Sequence, residues 1–428
     1  MLSTIPHSES TPYLYYAIAW VWAHTVGDGE AALRSLSAVF GVATVAAVWA
    51  AARELVSERA ALAAAALAAL NPFLVWYSQE ARAYALLGLL CALSFWLFAR
   101  ALNRPGDARA LAWWALASAL AIATHYFAAL TVIPEAIVLG VLAGRTRAWA
   151  LACGAVALVA LAHVPLLADQ RRGGGADWIG DLPLGHRIAE IPKRFMAGEF
   201  GNQLNYVFWP ALACVVVAAL LLWRSSGRER RGGTIGLVVG ATGLLVPILL
   251  ALATLDYVFP RNLIGSLPPL LVALAAAVTT RRAGIALLAV LCALFAVALA
   301  RTASDDALQR DDWRAVAAEL ERRHARVVVV SPAIELRTLR HYRGNLSDLI
   351  YPGVDTEEVA IVGLTRAPRG DRPIPPPPAP GFKRAEIIDS GTYRIVIFRG
   401  PRDVIDPAEA AGSALARGNS AGVADLTR

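Results

Sequence analysis

The sequence predicts a mainly α-helical, polytopic membrane protein with a small C-terminal α/β domain. Hydrophobic residues make up 57% of the 428 residues and charged residues only 17%, whereas a soluble domain carries about 25% charged residues. The arginines occur in short clusters between apolar runs, and the composition becomes mixed and charged from residue 301 onward. Clustered arginine beside apolar segments is typical of membrane topology. The net charge of +7 therefore does not indicate a nucleic-acid-binding protein.

Ten segments are long and apolar enough to cross a bilayer, which takes about 17 to 25 residues per helix. These segments are residues 33–52, 60–77, 83–100, 110–125, 127–143, 148–168, 206–223, 234–254, 263–279 and 283–300. Every second connection is rich in arginine. That set holds Arg53, Arg59, Arg100, Arg104, Arg109, Arg145, Arg147, Arg224, Arg228, Arg230, Arg231, Arg281 and Arg282. The short connections of the other set hold Arg82 and Arg261, so the arginine-rich set is predicted to face the cytoplasm.

The opposite, outer face is predicted to collect four polar segments: YSQEARAY, THYF, the connection 169–205 and DYVFPRN. Ten spans also place the N-terminus outside, from which we expect that a first helix precedes the given start. Residues 12–26 are rich in Tyr and Trp and are bounded by Pro12 and Gly27. This pattern favours a helix that lies in the membrane interface. A half-inserted span is the alternative, and it would reverse the predicted orientation.

Four regions follow from these observations. Residues 1–32 are expected to be the remnant of a first outer loop with its interfacial helix, and residues 33–300 the transmembrane domain. Residues 301–402 are expected to be an extracytoplasmic α/β domain. There, DDWRAVAAELERRHAR has helical spacing, VVVVSP resembles a buried strand, and RAEIIDSGTYRIVIFRG resembles two strands around a turn. Residues 403–428 are rich in Ala, Gly and Ser, which predicts a disordered tail.

A polar group precedes one apolar helix: Gln79, Glu80, Arg82 and Tyr84. An acid at a helix N-terminus can simply be stabilised by the helix dipole, by roughly 0.3 to 1 kcal/mol. Capping explains Glu80 but does not require the three polar or aromatic neighbours. We therefore interpret this group as a candidate functional site.

Arg261 is the second candidate, since an outer arginine departs from the charge bias and a guanidinium binds phosphate through a fork of donors. His125 and Tyr126 stand at the outer end of a span, where a packing role is the alternative. His7 and Glu9 precede the aromatic segment, in a tail that could equally be disordered.

Glu135 falls within a predicted span, and an ionisable group there indicates a function or a buried partner. The acid pairs Asp305–Asp306 and Asp311–Asp312 are typical of a solvated helix entry, so no metal site and no cofactor are predicted. The sequence shows no P-loop, no GxGxxG after a strand, no HExxH and no DxD motif.

Two strings, HSESTPYLYY and YSQEARAY, resemble the GT-C type membrane glycosyltransferases that use polyprenyl-phosphate sugars. This class includes the protein O-mannosyltransferases and the lipid A aminoarabinose transferase, grouped as glycosyltransferase family 39-like. THYFA, PRNLIGSLPPLL and DDWRAVAAEL resemble later landmarks, and the likeness covers most of residues 5–320. The resemblance implies an inverting transfer of a mannose-type sugar from a polyprenyl phosphate to a glycan, lipid or protein acceptor at the cell membrane.

The resemblance also implies roles for the candidate residues. Arg261, Arg82 and His7 would bind the donor phosphate. The residues expected to recognise sugar or acceptor are Gln79, Glu80, Tyr84, His125 and Tyr126.

The catalytic acid of these enzymes follows a first transmembrane helix and precedes the LYY segment. It has no counterpart in this sequence, so we expect either that the start codon was assigned too late or that the chain is an N-terminally truncated fragment with impaired activity. Glu80 and Glu9 are weak substitutes for that acid. A transporter or flippase of lipid-linked sugars, or a non-enzymatic membrane scaffold, remains the alternative, although no clear internal repeat is visible.

Overall fold

A computed structural model describes residues 10–253, 255–323, 326–344, 346–348, 354–364, 372–405 and 422–426. The chain divides into two compact units, Met1–Ala300 and Arg301–Arg428. The first unit is helical and the second contains a β-sheet. The predicted class, a mainly helical membrane fold with a small C-terminal sheet domain, is confirmed.

The first unit consists of consecutive helices connected by short turns. In chain order they are α1 (Leu14–Thr25), α2 (Glu30–Leu55), α3 (Glu58–Leu70), α4 (Pro72–Tyr77), α5 (Tyr84–Asn103), α6 (Ala108–Thr124), α7 (Ala129–Leu142), α8 (Arg147–Ala162), α9 (Val164–Arg172), α10 (Leu184–Ala197), α11 (Asn205–Trp223), α12 (Gly227–Ala253), α13 (Leu267–Val278) and α14 (Arg282–Ser304). Short 3-10 helices occur at Tyr126–Ala128, Asp177–Ile179 and Pro260–Ser266.

Within the described residues, seven helical segments are long and apolar enough to cross a membrane. They are Glu30–Leu55, Tyr84–Asn103, Arg147–Arg172, Asn205–Trp223, Gly227–Ala253, Pro260–Val278 and Arg282–Ser304. Two shorter apolar helices, Ala108–Thr124 and Tyr126–Leu142, overlap two further predicted spans. The remaining predicted span, residues 60–77, is broken into α3 and α4.

The break between α3 and α4 occurs at Asn71 because the residue before a proline is disfavoured in the helical conformation. The buried Asn71 side chain forms hydrogen bonds with two helices. Its Oδ1 accepts a hydrogen bond from the Leu74 amide at 3.0 Å, which caps α4. Its Nδ2 donates to the carbonyl of Phe195 at 2.8 Å. The break thus fixes α4 against α10.

One face of α12 is a stripe of glycines: Gly233, Gly236, Gly240 and Gly243. A spacing of three or four residues places side chains on one face of a helix. A Cβ at Gly236 would lie 2.6 Å from the carbonyl oxygen of Pro269, and one at Gly240 would lie 2.5 Å from the Cγ of Leu270. The glycines therefore allow α12 to approach the backbone of α13 and of the 3-10 segment Pro260–Ser266.

Glu135 on α7 is fully buried between helices rather than free. Its carboxyl group accepts hydrogen bonds from Trp114 Nε1 on α6 at 2.8 Å and from Ser94 Oγ on α5 at 2.9 Å. These donors come from the two neighbouring helices. Glu135 is thus accounted for as a hydrogen-bonded link between spans.

In its described residues, the second unit has a six-stranded sheet and two α-helices, α15 (Trp313–Glu321) and α16 (Leu336–Tyr342). The sheet order is β2-β6-β1-β3-β5-β4, and β1 pairs with β3 in parallel while the other pairs are antiparallel. The strands are β1 (Val327–Ser331), β2 (Leu346–Asp348), β3 (Val354–Leu364), β4 (Lys383–Ser390), β5 (Tyr393–Ile405) and β6 (Gly422–Leu426).

Both faces of this sheet are covered, which explains the uninterrupted apolar run of β1. Val328 and Val330 pack with Trp313 and Leu339 of the helices. Val327 and Val329 pack on the other face in a cluster that includes Phe382. The predicted pair of strands around the Ser-Gly turn is confirmed as β4 and β5.

The structure differs from the predicted disorder at residues 422–426. These residues form β6, which pairs with β1 and β2. The surrounding tail is rich in Ala, Gly and Ser, and this composition masks the short strand in the sequence. The strand forms because partners more than 70 residues away in the sequence supply its hydrogen bonds.

We expect Gly236→Ala to destabilise the first unit by about 1 to 3 kcal/mol, since the new methyl group would overlap a backbone carbonyl that cannot move away cheaply. Thermal unfolding in detergent measures this change. Gly154→Ala in α8 is the matched control, because nothing lies within 4 Å of that position. Equal midpoints for the two variants would contradict the close packing of α12.

Candidate functional site

The candidate site is built around the ring of Tyr84, the first residue of α5. The side chain is buried, and its ring centroid lies 5.1 Å from that of Tyr77 and 5.9 Å from that of His125. The guanidinium of Arg82 lies 5.6 Å from the Tyr84 ring centroid, and that of Arg261 lies 5.5 Å from it. Tyr84 therefore joins the ends of α4 and α6 to the 3-10 segment that carries Arg261.

Arg261 is surrounded by aromatic rings. Its guanidinium lies 5.2 Å from the ring centroid of Trp178 and 5.1 Å from that of Phe259, in addition to its contact with Tyr84. Such contacts contribute about 0.5 to 2 kcal/mol each and leave the positive charge in place. Arg261 forms no salt bridge within the part of the chain that the structure describes. The aromatic surroundings thus hold a cation that can still pair with an anion.

His125 ends α6 and is 3% exposed. Its Nδ1 accepts a hydrogen bond from the Phe127 amide at 3.2 Å. Because Nδ1 is the acceptor, the neutral imidazole carries its proton on Nε2. Arg261 and Arg82 both act electrostatically on the imidazole, which places His125 in the same cluster.

The turn between α4 and α5 is fixed by its own backbone and by α2. The Arg82 amide donates to the Glu80 carbonyl at 2.7 Å, and that carbonyl also accepts from the Ser37 hydroxyl at 2.6 Å. The Glu80 and Arg82 side chains are half-buried. Both act electrostatically on the phenol of Tyr15, so α1 lies beside the turn.

A second network borders the cluster and was not predicted from the sequence. The Tyr77 hydroxyl donates to Glu199 Oε2 at 3.0 Å, and Arg194 pairs with Glu199 Oε1 and, at 2.7 Å, with Glu190 Oε2. Burial raises the pKa of Glu199, while Arg194 and the Tyr77 hydrogen bond oppose that shift. The Arg194 guanidinium also lies 5.2 Å from the Phe259 ring centroid.

A weak sequence signal could have indicated this network. Glu199 stands between two glycines in a connection predicted to face outward, in the string GEFG. Gly198 adopts a φ of +86°, which ends α10 sharply and turns the chain toward Glu199.

The segment that precedes Arg261 is held by a buried arginine, Arg187 of α10, whose side chain is 1% exposed. Its Nη1 and Nη2 donate to the two carboxylate oxygens of Asp256 at 2.6 and 2.5 Å. Nη1 also donates to the Val258 carbonyl at 2.7 Å, and Nε donates to the Leu182 carbonyl at 2.9 Å. The hydrogen bonds from Arg187 lower the pKa of Asp256, which keeps that carboxylate ionised. This clamp fixes Asp256 and Val258, immediately before Phe259 and Pro260.

The remaining predicted site residues lie apart from the cluster or outside the described residues. Tyr126 donates its hydroxyl hydrogen to Gln170 Oε1 at 2.8 Å, and Gln170 in turn donates to the Thr11 carbonyl at 3.0 Å. The Gln79 side chain is exposed at the turn. His7 and Glu9 lie outside the described residues.

The cluster combines two guanidiniums, a half-buried carboxylate, an imidazole and several aromatic faces. Guanidinium groups suit phosphate or carboxylate ligands, which they bind with charge-assisted hydrogen bonds. Within the described residues, no group of three or more His, Cys, Asp or Glu could hold a metal ion. The two guanidiniums beside aromatic rings favour the binding of an organic anion.

Residues 10–168 match the sequence model of the family described as dolichyl-phosphate-mannose-protein mannosyltransferase. The matched segment includes Glu80, Arg82, Tyr84 and His125, whereas Arg261 lies beyond it. The resemblance to GT-C type glycosyltransferases is confirmed over this segment. The chain matches no curated protein sequence.

Solved structures of the oligosaccharyltransferase of Archaeoglobus fulgidus align with most of the chain at low similarity. The complex with Zn and sulfate is 16% identical with a TM-score of 0.39, and the alignment covers 74% of this chain and 47% of that one. The form tethered to an acceptor peptide with the NVT sequon is 16% identical with a TM-score of 0.41, covering 74% and 49%. AglB with an inhibitory peptide and a dolichol-phosphate is 14% identical with a TM-score of 0.40, covering 73% and 50%. The chain thus spans about half the length of these structures.

We expect Arg187→Met to lower the free energy of unfolding by about 2 kcal/mol or more, because it removes the guanidinium donors of the Asp256 carboxylate and of two carbonyls. Asp256→Asn should cost less, since Arg187 keeps its carbonyl partners. Chemical denaturation in detergent provides the measurement.

Arg172→Met serves as the control for this clamp. Arg172 pairs with Asp169 at 3.1 Å, but both side chains are more than half exposed. An exposed pair contributes at most about 1 kcal/mol. If Arg172→Met and Arg187→Met cost the same, the clamp is not the contact that holds the Asp256 segment.

Proposed function

We propose that this protein is a membrane glycosyltransferase that moves a mannose-type sugar from a polyprenyl-phosphate donor to a glycan, lipid or protein acceptor on the outer face of the cell membrane. The observation that carries the proposal is the Arg261 guanidinium, held by Tyr84, Trp178 and Phe259 beside Arg82. The family match over residues 10–168 supports the same reaction class.

In the proposed reaction, the acceptor hydroxyl oxygen bonds to the anomeric carbon while the bond from that carbon to the phosphate oxygen breaks. The bonding electrons leave with the lipid phosphate, which gains one negative charge. The acceptor proton passes to a carboxylate acting as general base, and the anomeric carbon inverts. Arg261 and Arg82 stabilise the charge that grows on the phosphate.

The other cluster residues are assigned to the sugar and the acceptor. Tyr84 and His125 lie within ring-contact distance of each other, and Glu80 is the half-buried carboxylate of the same turn. Among the residues that the structure describes, Glu80 is our candidate for the base. Gln79 and Tyr126 are proposed to contact the acceptor once it is bound.

We expect Arg261→Ala to lower the rate of sugar transfer about 100-fold or more, the usual cost of losing one group that stabilises transition-state charge. The assay measures transfer of radiolabelled mannose from a synthetic mannosyl polyprenyl phosphate in membranes that contain the chain. Arg261→Lys should recover only part of the rate, because an ammonium lacks the planar fork of donors.

Arg171→Ala is the matched control, since that guanidinium also lies over an aromatic ring, 5.9 Å from the centroid of Tyr257. It should leave the rate within about twofold, the range of a surface substitution. Full transfer by Arg261→Ala would remove the phosphate assignment.

Mass analysis of the products separates the enzyme from a transporter of lipid-linked sugar. The enzyme forms a new glycosidic bond to the acceptor and releases polyprenyl phosphate. A transporter relocates the intact donor. Recovery of relocated donor with no glycosylated acceptor would overturn the proposed function.

A further inference from the structure

A cavity of about 660 Å³ lies in the first unit, between the C-terminal ends of α2 and α5 and the start of α12. Its lining is partly polar and partly apolar. Arg228, Arg231, Glu54 and Asn103 supply charged and polar groups, while the buried side chains of Leu55, Leu102 and Ile235 supply apolar surface. A cavity of this size is within the usual range for a bound small molecule, about 300 to 1,000 Å³.

This cavity lies far from the candidate glycosyltransferase site. Tyr84 begins α5 and Asn103 ends it, and 19 helical steps of about 1.5 Å separate them by about 28 Å. That distance is close to the thickness of the hydrocarbon core of a bilayer, about 30 Å. The cavity therefore lies at the arginine-rich end of the helices, opposite Arg82 and Arg261.

The close approach of α12 to α2 forms one wall of the cavity. A Cβ at Gly232 would lie 2.7 Å from the carbonyl oxygen of Leu55, so glycine allows the two helices to meet there. Arg228 Nη2 donates to the Glu54 carbonyl at 2.6 Å, and Asn103 Nδ2 donates to the Glu54 carbonyl at 2.8 Å and to its Oε1 at 3.2 Å. These bonds orient Arg228 and hold the Glu54 side chain near Asn103.

The charges of the lining leave one net positive charge, from two guanidiniums and one carboxylate. A phosphodiester carries one negative charge, which balances this lining, and a lipid also brings an apolar chain that inorganic phosphate lacks. The apolar side chains suit the first methylenes of an acyl chain. Basic pockets between membrane helices bind anionic lipid headgroups for the same reasons.

We propose that this cavity binds the phosphodiester headgroup of an anionic membrane phospholipid, with the phosphate on Arg228 and Arg231 and the proximal acyl chain on Leu55, Leu102 and Ile235. The bound lipid would tie the ends of α2, α5 and α12 together at the face opposite the proposed reaction. This site is independent of the proposed function, because it shares no residue with the cluster around Tyr84.

The test uses the full chain purified in detergent and native mass spectrometry to titrate bound phosphatidylglycerol. We expect the apparent Kd to rise about tenfold or more in Arg228→Ala/Arg231→Ala, and Arg231→Ala alone should show an intermediate rise. Arg230→Ala is the matched control. It removes the same charge from the same exposed turn of α12, but Arg230 does not line the cavity. Its apparent Kd should stay within about twofold.

Two further binding measurements distinguish an anionic lipid from free phosphate as the ligand. Phosphatidylcholine, which has no net charge, should bind at least about tenfold more weakly. An excess of inorganic phosphate should leave phosphatidylglycerol binding unchanged. Displacement of the lipid by inorganic phosphate, an equal loss in Arg230→Ala, or full binding by the double variant would each overturn the proposal. Unfolding midpoints of all variants, measured in parallel, distinguish a lost site from a lost fold.

Discussion

The proposed chemistry of this protein depends on how the positive charge of Arg261 is held. An arginine near the end of a membrane helix is commonly neutralised by a carboxylate, and such a pair has little charge left to offer a ligand. Here three aromatic rings surround the guanidinium instead. Ring faces attract a cation without neutralising it. The charge is thus kept in a defined place and stays able to pair with an anion.

Several features of the scaffold place that guanidinium. The glycine stripe of α12 allows the 3-10 segment Pro260–Ser266 to pack at backbone distance. Arg187 fixes the preceding loop through Asp256 and the Val258 carbonyl. On the facing side, Asn71 holds α4 against α10 and so positions the turn before Tyr84. Each contact joins segments that are far apart in sequence, so the site is a product of helix packing rather than of a local motif.

The sequence predicted the helical membrane fold and the main members of the cluster for clear physical reasons. Long apolar runs specify spans, Arg261 stood out because it violates a charge bias, and Arg82 stood out as part of a polar group before an apolar helix. Other predictions needed contacts that no local pattern contains. Tyr126 is adjacent to His125 in sequence but bonds to Gln170 instead. Glu199 gave only a weak sequence signal, yet the tertiary structure brings it and Trp178 to the cluster. Strand β6 depends on pairing with distant strands.

By itself, the sequence determined that the chain is a bundle of apolar helices with polar residues gathered at helix ends, because apolar length and arginine distribution are read directly from the order of residues. Only the tertiary structure decided which of those polar residues meet. It showed that Glu135 links Ser94 and Trp114 rather than standing free, and that Arg261 lies against three aromatic rings. The hydropathy pattern indicates how deep in the membrane a side chain lies. Which side chain it contacts depends on the rotation and separation of the neighbouring helices.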